Sequence, residues 1–124
     1  MSYPTDRRYA SSHEWVKVDG NVATIGITHH AQDQLGDIVH VELPAVGKTF
    51  AKGDTAAEVE SVKAVSDIYA PVSGKVVAVN GALDGDEGVI NTDPHGAGWM
   101  FKLELSNAGE LDGLLDAAAY AAVA

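Results

Sequence analysis

Residues 56–69 read AAEVESVKAVSDIY. Two β-prone runs, Ala56 to Val62 and Val65 to Tyr69, are separated only by Lys63 and Ala64. So short a gap predicts a hairpin, with Lys63 at its turn. Pro71 stops the second run. The chain holds only eight basic residues, and none of the other seven lies between Lys52 and Lys75. An amine alone at a tight turn is reachable by a modifying enzyme, while the strands behind it hold it rigidly.

Outward from this hairpin, two stretches match each other. Gly36-Asp-Ile-Val-His-Val is followed by Gly47, and Gly74-Lys-Val-Val-Ala-Val by Gly85. Gly-x-apolar-Val-x-Val-x5-Gly thus occurs twice, and Lys63 lies between the copies. A duplicated half-barrel with quasi-twofold symmetry would place a protruding hairpin there; chance in a chain rich in valine and glycine is the other reading.

Trp15 to Val18 and Val22 to Ile27 flank Asp19-Gly20-Asn21, a second hairpin signal. Thr28 can cap a short helix over His29 to Leu35, which Gly36 stops. Ile38 to Leu43, Gly74 to Val79 and Gly98 to Leu105 read as strands, and Asn80 to Leu83 as one helical turn. Leu111, Leu114, Leu115 and Ala118 recur at helical spacing, which predicts a C-terminal helix over 112–122. The 124 residues are one domain's worth, so 1–124 is read as a single domain.

Composition narrows the function. Cysteine is absent, which removes disulfides, thiolate metal sites and cysteine nucleophiles. The net charge of −10 repels phosphate backbones, so nucleic acid is not an expected partner. It suits a monomer that meets basic docking surfaces briefly. No apolar run approaches a membrane span, and MSYPTDRRYA does not read as a secretory signal. A bacterial cytoplasmic protein is expected, or a mitochondrial one if the chain is a processed form. His29 and His30 diverge on a helix rather than converging on a metal. No nucleophile elbow surrounds Ser61 or Ser73, and Gly81 to Gly85 lacks the lysine of a P-loop.

Val59 to Asn80, VESVKAVSDIYAPVSGKVVAVN, resembles the lipoylation segment of glycine cleavage H-proteins. Ser12-His13-Glu14-Trp15-Val16, Leu35-Gly36-Asp37-Ile38-Val39, Val41-Glu42-Leu43-Pro44, Asn91-Thr92-Asp93-Pro94 and Gly98-Trp99-Met100 resemble further family motifs in their expected order. Departures fall at His40 and His95, where relatives often carry aromatics, and in the loop from Leu83 to Gly88.

The resemblance implies a mainly β barrel-sandwich hybrid of two antiparallel sheets, with short helices and a C-terminal helix. It implies lipoic acid in amide linkage on Lys63, an arm of about 14 Å. Glu60 and Gly74 would help the lipoylating enzyme recognise the site. Ser12, Glu14 and Asp67 would surround the cleft where the loaded arm docks. The implied partners are a pyridoxal-phosphate glycine decarboxylase, a tetrahydrofolate-dependent aminomethyltransferase and a dihydrolipoamide dehydrogenase. The carrier itself would hold no catalytic residue and no metal. Biotinyl and 2-oxoacid-dehydrogenase lipoyl domains are the nearest alternative, but they usually carry Met or Asp where Val62 stands. A small hydrolase lacks a site here, and a protein that relays lipoate to other complexes stays open.

Overall fold

In the computed structural model, which describes residues 3–124, the strands form two antiparallel sheets. The larger one runs β1 (Arg8–Tyr9), β2 (Glu14–Asp19), β3 (Val22–Ile27), β9 (Phe101–Leu105), β8 (Gly74–Val79), β5 (Thr49–Phe50) across its width. The smaller one is β4 (Ile38–Glu42), β6 (Thr55–Ser61) and β7 (Val65–Tyr69). This is the barrel-sandwich arrangement of two antiparallel sheets expected from the resemblance.

Alternation explains the layering. Ala23, Ile25 and Ile27 on β3, and Phe101, Leu103 and Leu105 on β9, point inward. Ile38, Val59 and Ile68 of the smaller sheet meet them in one buried cluster. Each such Val, Ile, Leu or Phe side chain stabilises the fold by roughly 1.5–3 kcal/mol on burial. The predicted turn at Gly20 forms with φ +63°, and Asp19 pairs with Val22 across it. A second, aromatic cluster of Tyr9, Trp15 and Tyr120 is also fully buried.

The helix α1 (His29–Leu35) has the predicted bounds, capped by Thr28 and ended at Gly36 with φ +77°. The turn at Gly81–Leu83 is capped by the Asn80 side chain. Two expectations need correction. The C-terminal helix does not start at 112: Ala108–Gly113 is a 3-10 helix and the α-helix α3 is Ala117–Val123. Leu114 is extended, Leu115 bridges to Tyr9, and the Asp116 carboxylate caps α3 by accepting from the Ala119 N–H. The last strand starts at Phe101 rather than Gly98, because Asp93 folds residues 96–98 back by accepting from Gly98 and Ala97. The sequence does not announce β1, β5 or α2 (Val89–Thr92), which are too short to carry periodicity.

The repeat divides between the sheets. Its first copy supplies β4 and its second β8. Gly47 and Gly85 do the same work in each, as turn residues at φ +96° and +103°. Gly36 and Gly74 do not: Gly36 ends a helix, whereas Gly74 is a packed strand residue. Among the described residues no helix is long and apolar enough to cross a membrane.

Candidate functional site

Lys63 stands at the turn joining β6 to β7, exposed as its position predicts. The turn is held by Ser61, which is buried. Its hydroxyl accepts from the Lys63 and Ala64 N–H groups at 3.3 and 3.1 Å and donates to the Ala64 carbonyl at 3.2 Å. The Ser61 N–H donates to the same carbonyl at 2.8 Å, and the Val62 N–H reaches Asp37 O at 3.1 Å. A serine side chain here substitutes for backbone donors and acceptors that the three-residue turn of Val62, Lys63 and Ala64 does not itself supply. Sequence alone presents Ser61 as a plain polar strand residue; its spacing to Ala64 is the available signal. The Lys63 stem lies across Gly36, with Cε 3.6 Å from where a Cβ would stand. Val62 and Val65 beside it are 69% and 60% exposed, an apolar collar around the amine.

Glu60 is exposed one residue before this turn, paired with His40 on β4 and Val65 on β7. The next row on this side is Glu42, Glu58 and Asp67, so the outer face of the smaller sheet is acidic. Gly74 lies apart from the tip. It opens β8 in the other sheet and is buried. A Cβ there would stand 2.5 Å from the Glu104 carbonyl oxygen and 3.0 Å from Leu103 Cβ. Close strand packing alone requires glycine at this position. Gly74→Ala is therefore expected to lower the unfolding free energy by about 1–3 kcal/mol, read from denaturant unfolding. An unchanged midpoint would mean that β8 moves aside without cost.

Ser12, on the loop between β1 and β2, meets Glu14, the first residue of β2. Glu14 is 1% exposed. Its carboxylate accepts from the Ser12 hydroxyl and, at 3.4 Å, from the Tyr69 N–H. Burial pushes its pKa up from 4.5 to about 7, against the lowering effect of those two hydrogen bonds. Asp67 does not bond to either residue. It shares with Ser12 a groove of about 300 Å³ whose other wall is α1, through His30, Ala31 and Leu35. On its other side Ser12 lines, with Glu14, Lys52 and Tyr69, a second cavity of about 470 Å³. Ser12 thus stands between two hollows with a buried carboxyl behind it.

Sequence reasoning missed the residues behind this pair. Tyr120 from α3, His13 and Thr28 form a hydrogen-bonded chain beside it. His95 accepts from the His29 N–H at 3.2 Å, and burial, aided by Arg7, draws its pKa down to about 4. His40 is exposed on β4, and Leu83 of the departing loop is buried. Among the described residues no three His, Asp or Glu side chains gather into a metal-holding group.

The family model described as Glycine cleavage H-protein matches residues 7–124. The chain is 55% identical over 123 residues to a glycine cleavage system H protein of Beutenbergia cavernae, covering 99% of this chain and 97% of that one. It is 55% identical over 114 residues to one from Thermotoga maritima, covering 92% of each. A crystal structure of a glycine cleavage system H protein from Mycobacterium marinum superposes with a TM-score of 0.89, at 44% identity and 97% coverage of both chains.

Proposed function

The chain belongs to the glycine cleavage H-protein family, and on that premise we propose that Lys63 carries lipoic acid in amide linkage and delivers its load to three enzymes in turn. As a family member it is a non-catalytic carrier that works with the other components of the glycine cleavage system. In this reading it takes the aminomethyl group from glycine decarboxylase to the tetrahydrofolate-dependent aminomethyltransferase. It then takes reducing equivalents to dihydrolipoamide dehydrogenase. The attached group supplies a disulfide that accepts the aminomethyl unit and becomes a dithiol once that unit is removed.

One observation carries this assignment: an exposed lysine on a tied turn, with a groove between the following strand and α1. Four residues of chain span at most about 14 Å, so Asp67 on β7 lies within an arm's length of Lys63. An arm of about 14 Å laid along the groove ends near Ser12 and Asp67, with the Glu14 carboxyl just behind. The residues present fit the group. Ser61 holds the attachment point while leaving the amine exposed. Ala31, Leu35 and Ile68 give the groove apolar walls for the arm's hydrocarbon stem. Ser12, Glu14 and Asp67 offer acceptors for an ammonium at its end.

Recognition by the lipoylating enzyme would use Glu60 and the exposed tip, with Gly74 contributing through the packing of β8. The acidic outer face and the net charge of −10 support brief docking on basic partner surfaces by a monomer. The bacterial relatives support a cytoplasmic setting.

Peptide mapping tests the attachment. Protein incubated with lipoate, ATP and a lipoylating enzyme is expected to gain one lipoyl group, on the peptide holding Lys63. A second modified lysine, or none, would count against the assignment.

A further inference from the structure

Tyr120 is the only residue of α3 that is buried, and it is fully so. Its ring stacks on Tyr9, centroids 4.9 Å apart and planes 14° from parallel. Its hydroxyl lies 2.6 Å from His13 Nδ1 and 2.7 Å from Thr28 Oγ1. Thr28 in turn caps α1 by accepting from the Ala31 N–H, and its own N–H donates to the His13 carbonyl at 3.0 Å. The donors and acceptors are satisfied when Thr28 donates its proton to Tyr120 and Tyr120 donates to an unprotonated His13 Nδ1. Burial, with His30 beside it at 4.6 Å between ring centroids, lowers the pKa of His13 and favours that neutral ring.

His13 is the one described residue other than glycine in the left-handed region, at φ +77°. A side chain at that φ is strained and persists only where its surroundings hold it. His13 stands between Ser12 and Glu14. The reversal of the chain there brings the Ser12 hydroxyl round onto the carboxylate two residues later. The loop's own bonds are few: Ala10 N–H to Glu14 O and His13 N–H to Ala10 O. The hydrogen bond that holds the histidine side chain is to Tyr120, while the His30 ring packs beside it.

We propose that Tyr120 is a positioning residue for the pair that holds the arm: its hydroxyl keeps His13 in the left-handed conformation, and that conformation sets Ser12 against Glu14. The C-terminal helix would then act on the arm site from behind, without touching the arm. This rests on the reading that Ser12 and Glu14 hold the loaded arm. The groups facing Glu14 are Ser12 and the Tyr69 N–H, with Lys52 and Tyr9 lining the same cavity. Tyr120 contributes no charge there, since burial before all else raises its phenol to about 12.

The test uses unlipoylated protein, in which the ionisation of Glu14 is followed by carboxyl NMR. Tyr120→Phe removes one oxygen and keeps the stacked ring. Releasing the loop removes the Ser12 hydrogen bond, which lowers the Glu14 pKa, and admits water to the carboxyl, which relieves the burial that raises it; burial is the larger of the two effects. The midpoint is expected to fall by about one pH unit, a tenfold change in ionisation constant. Adding His13→Gly to Tyr120→Phe is expected to restore it, because glycine takes φ +77° without a partner. Circular dichroism and the thermal midpoint show whether each variant is folded. A folded Tyr120→Phe protein with the wild-type midpoint for Glu14 would overturn the proposal, and so would a lowered midpoint that His13→Gly fails to restore. Loaded protein separates the two readings. A Tyr120→Phe variant whose Glu14 midpoint has moved, but which loses its one-carbon unit no faster, would defeat the arm-holding reading and leave the positioning role standing.

Discussion

Lys63→Arg is expected to fold as the parent does, to accept no lipoyl group, and to reduce glycine-dependent carbon dioxide release in the reconstituted system to background. Folding is spared because Lys63 is exposed and the turn is made by Ser61 and the backbone, not by the lysine stem. That stem lies across Gly36, which an arginine stem can cross in the same way. Chemistry is lost because the amide needs a nucleophilic amine. A guanidinium, charged at every physiological pH, offers none. The effect is all-or-none, since the chain has no cysteine and no other redox group to take the load. Intact mass, circular dichroism and released carbon dioxide read the three expectations separately. A lipoyl group on the Lys63→Arg variant, or undiminished turnover, would remove Lys63 from the carrier role. A variant that fails to fold would show that the lysine stem supports the turn.

Much of the framework was legible because it rests on local rules. Gly20 between two β-branched runs, Thr28 before α1 and Gly36 after it are short-range signals, and each element formed where they placed it. The tip position of Lys63 followed from a two-residue gap between strands. Other features depend on contacts between residues far apart in the chain. The start of α3 is set by the pairing of Leu115 with Tyr9, more than a hundred residues away, so periodicity at Leu111 and Leu114 pointed too early. The burial of Glu14 could not be read from HEWV. It arises because β7 brings the Tyr69 N–H over the carboxylate. The role of Tyr120 depends on its meeting His13 and Thr28, which no spacing in the sequence records. Gly74 shows the reverse case. A residue assigned to recognition by resemblance has a packing reason of its own, in the backbone of β9.

Glu14→Gln is expected to shorten the life of the loaded arm and, at the same time, to stabilise the empty protein above neutral pH. On the proposed arm the aminomethyl group would hang from sulfur next to a nitrogen. A neutral nitrogen would let its lone pair expel the thiolate, and water would take the one-carbon unit to formaldehyde and ammonia. A carboxylate beside the nitrogen favours the ammonium form, and each pKa unit it contributes leaves about tenfold less free amine. Glutamine keeps the shape and the acceptor for Ser12 but not the charge. Loss of formaldehyde and ammonia from isolated loaded protein should therefore quicken by on the order of tenfold for each amine pKa unit lost. Asp67→Asn should act in the same direction more weakly, because Asp67 is exposed and bonded to neither Ser12 nor Glu14. The parent's advantage over the variant should narrow at pH low enough to protonate Glu14, while both decay more slowly as the amine itself takes up a proton. Stability runs the other way. A carboxyl whose pKa rises from 4.5 to about 7 on folding binds more protons folded than unfolded, so the parent loses stability as pH climbs through that window. At roughly 1.4 kcal/mol per pKa unit the loss is about 3 kcal/mol by pH 8 and nothing at pH 4. Glutamine carries no such penalty, so unfolding curves at the two pH values should separate the proteins at pH 8 and bring them together at pH 4. Equal decay rates for parent, Glu14→Gln and Asp67→Asn would take both residues out of arm protection. Equal stability at pH 8 would mean that Glu14 ionises as easily folded as unfolded. A protein that keeps a carboxyl buried at a cost to its own stability, and gains protection for a labile cargo by doing so, would show both effects in the same variant.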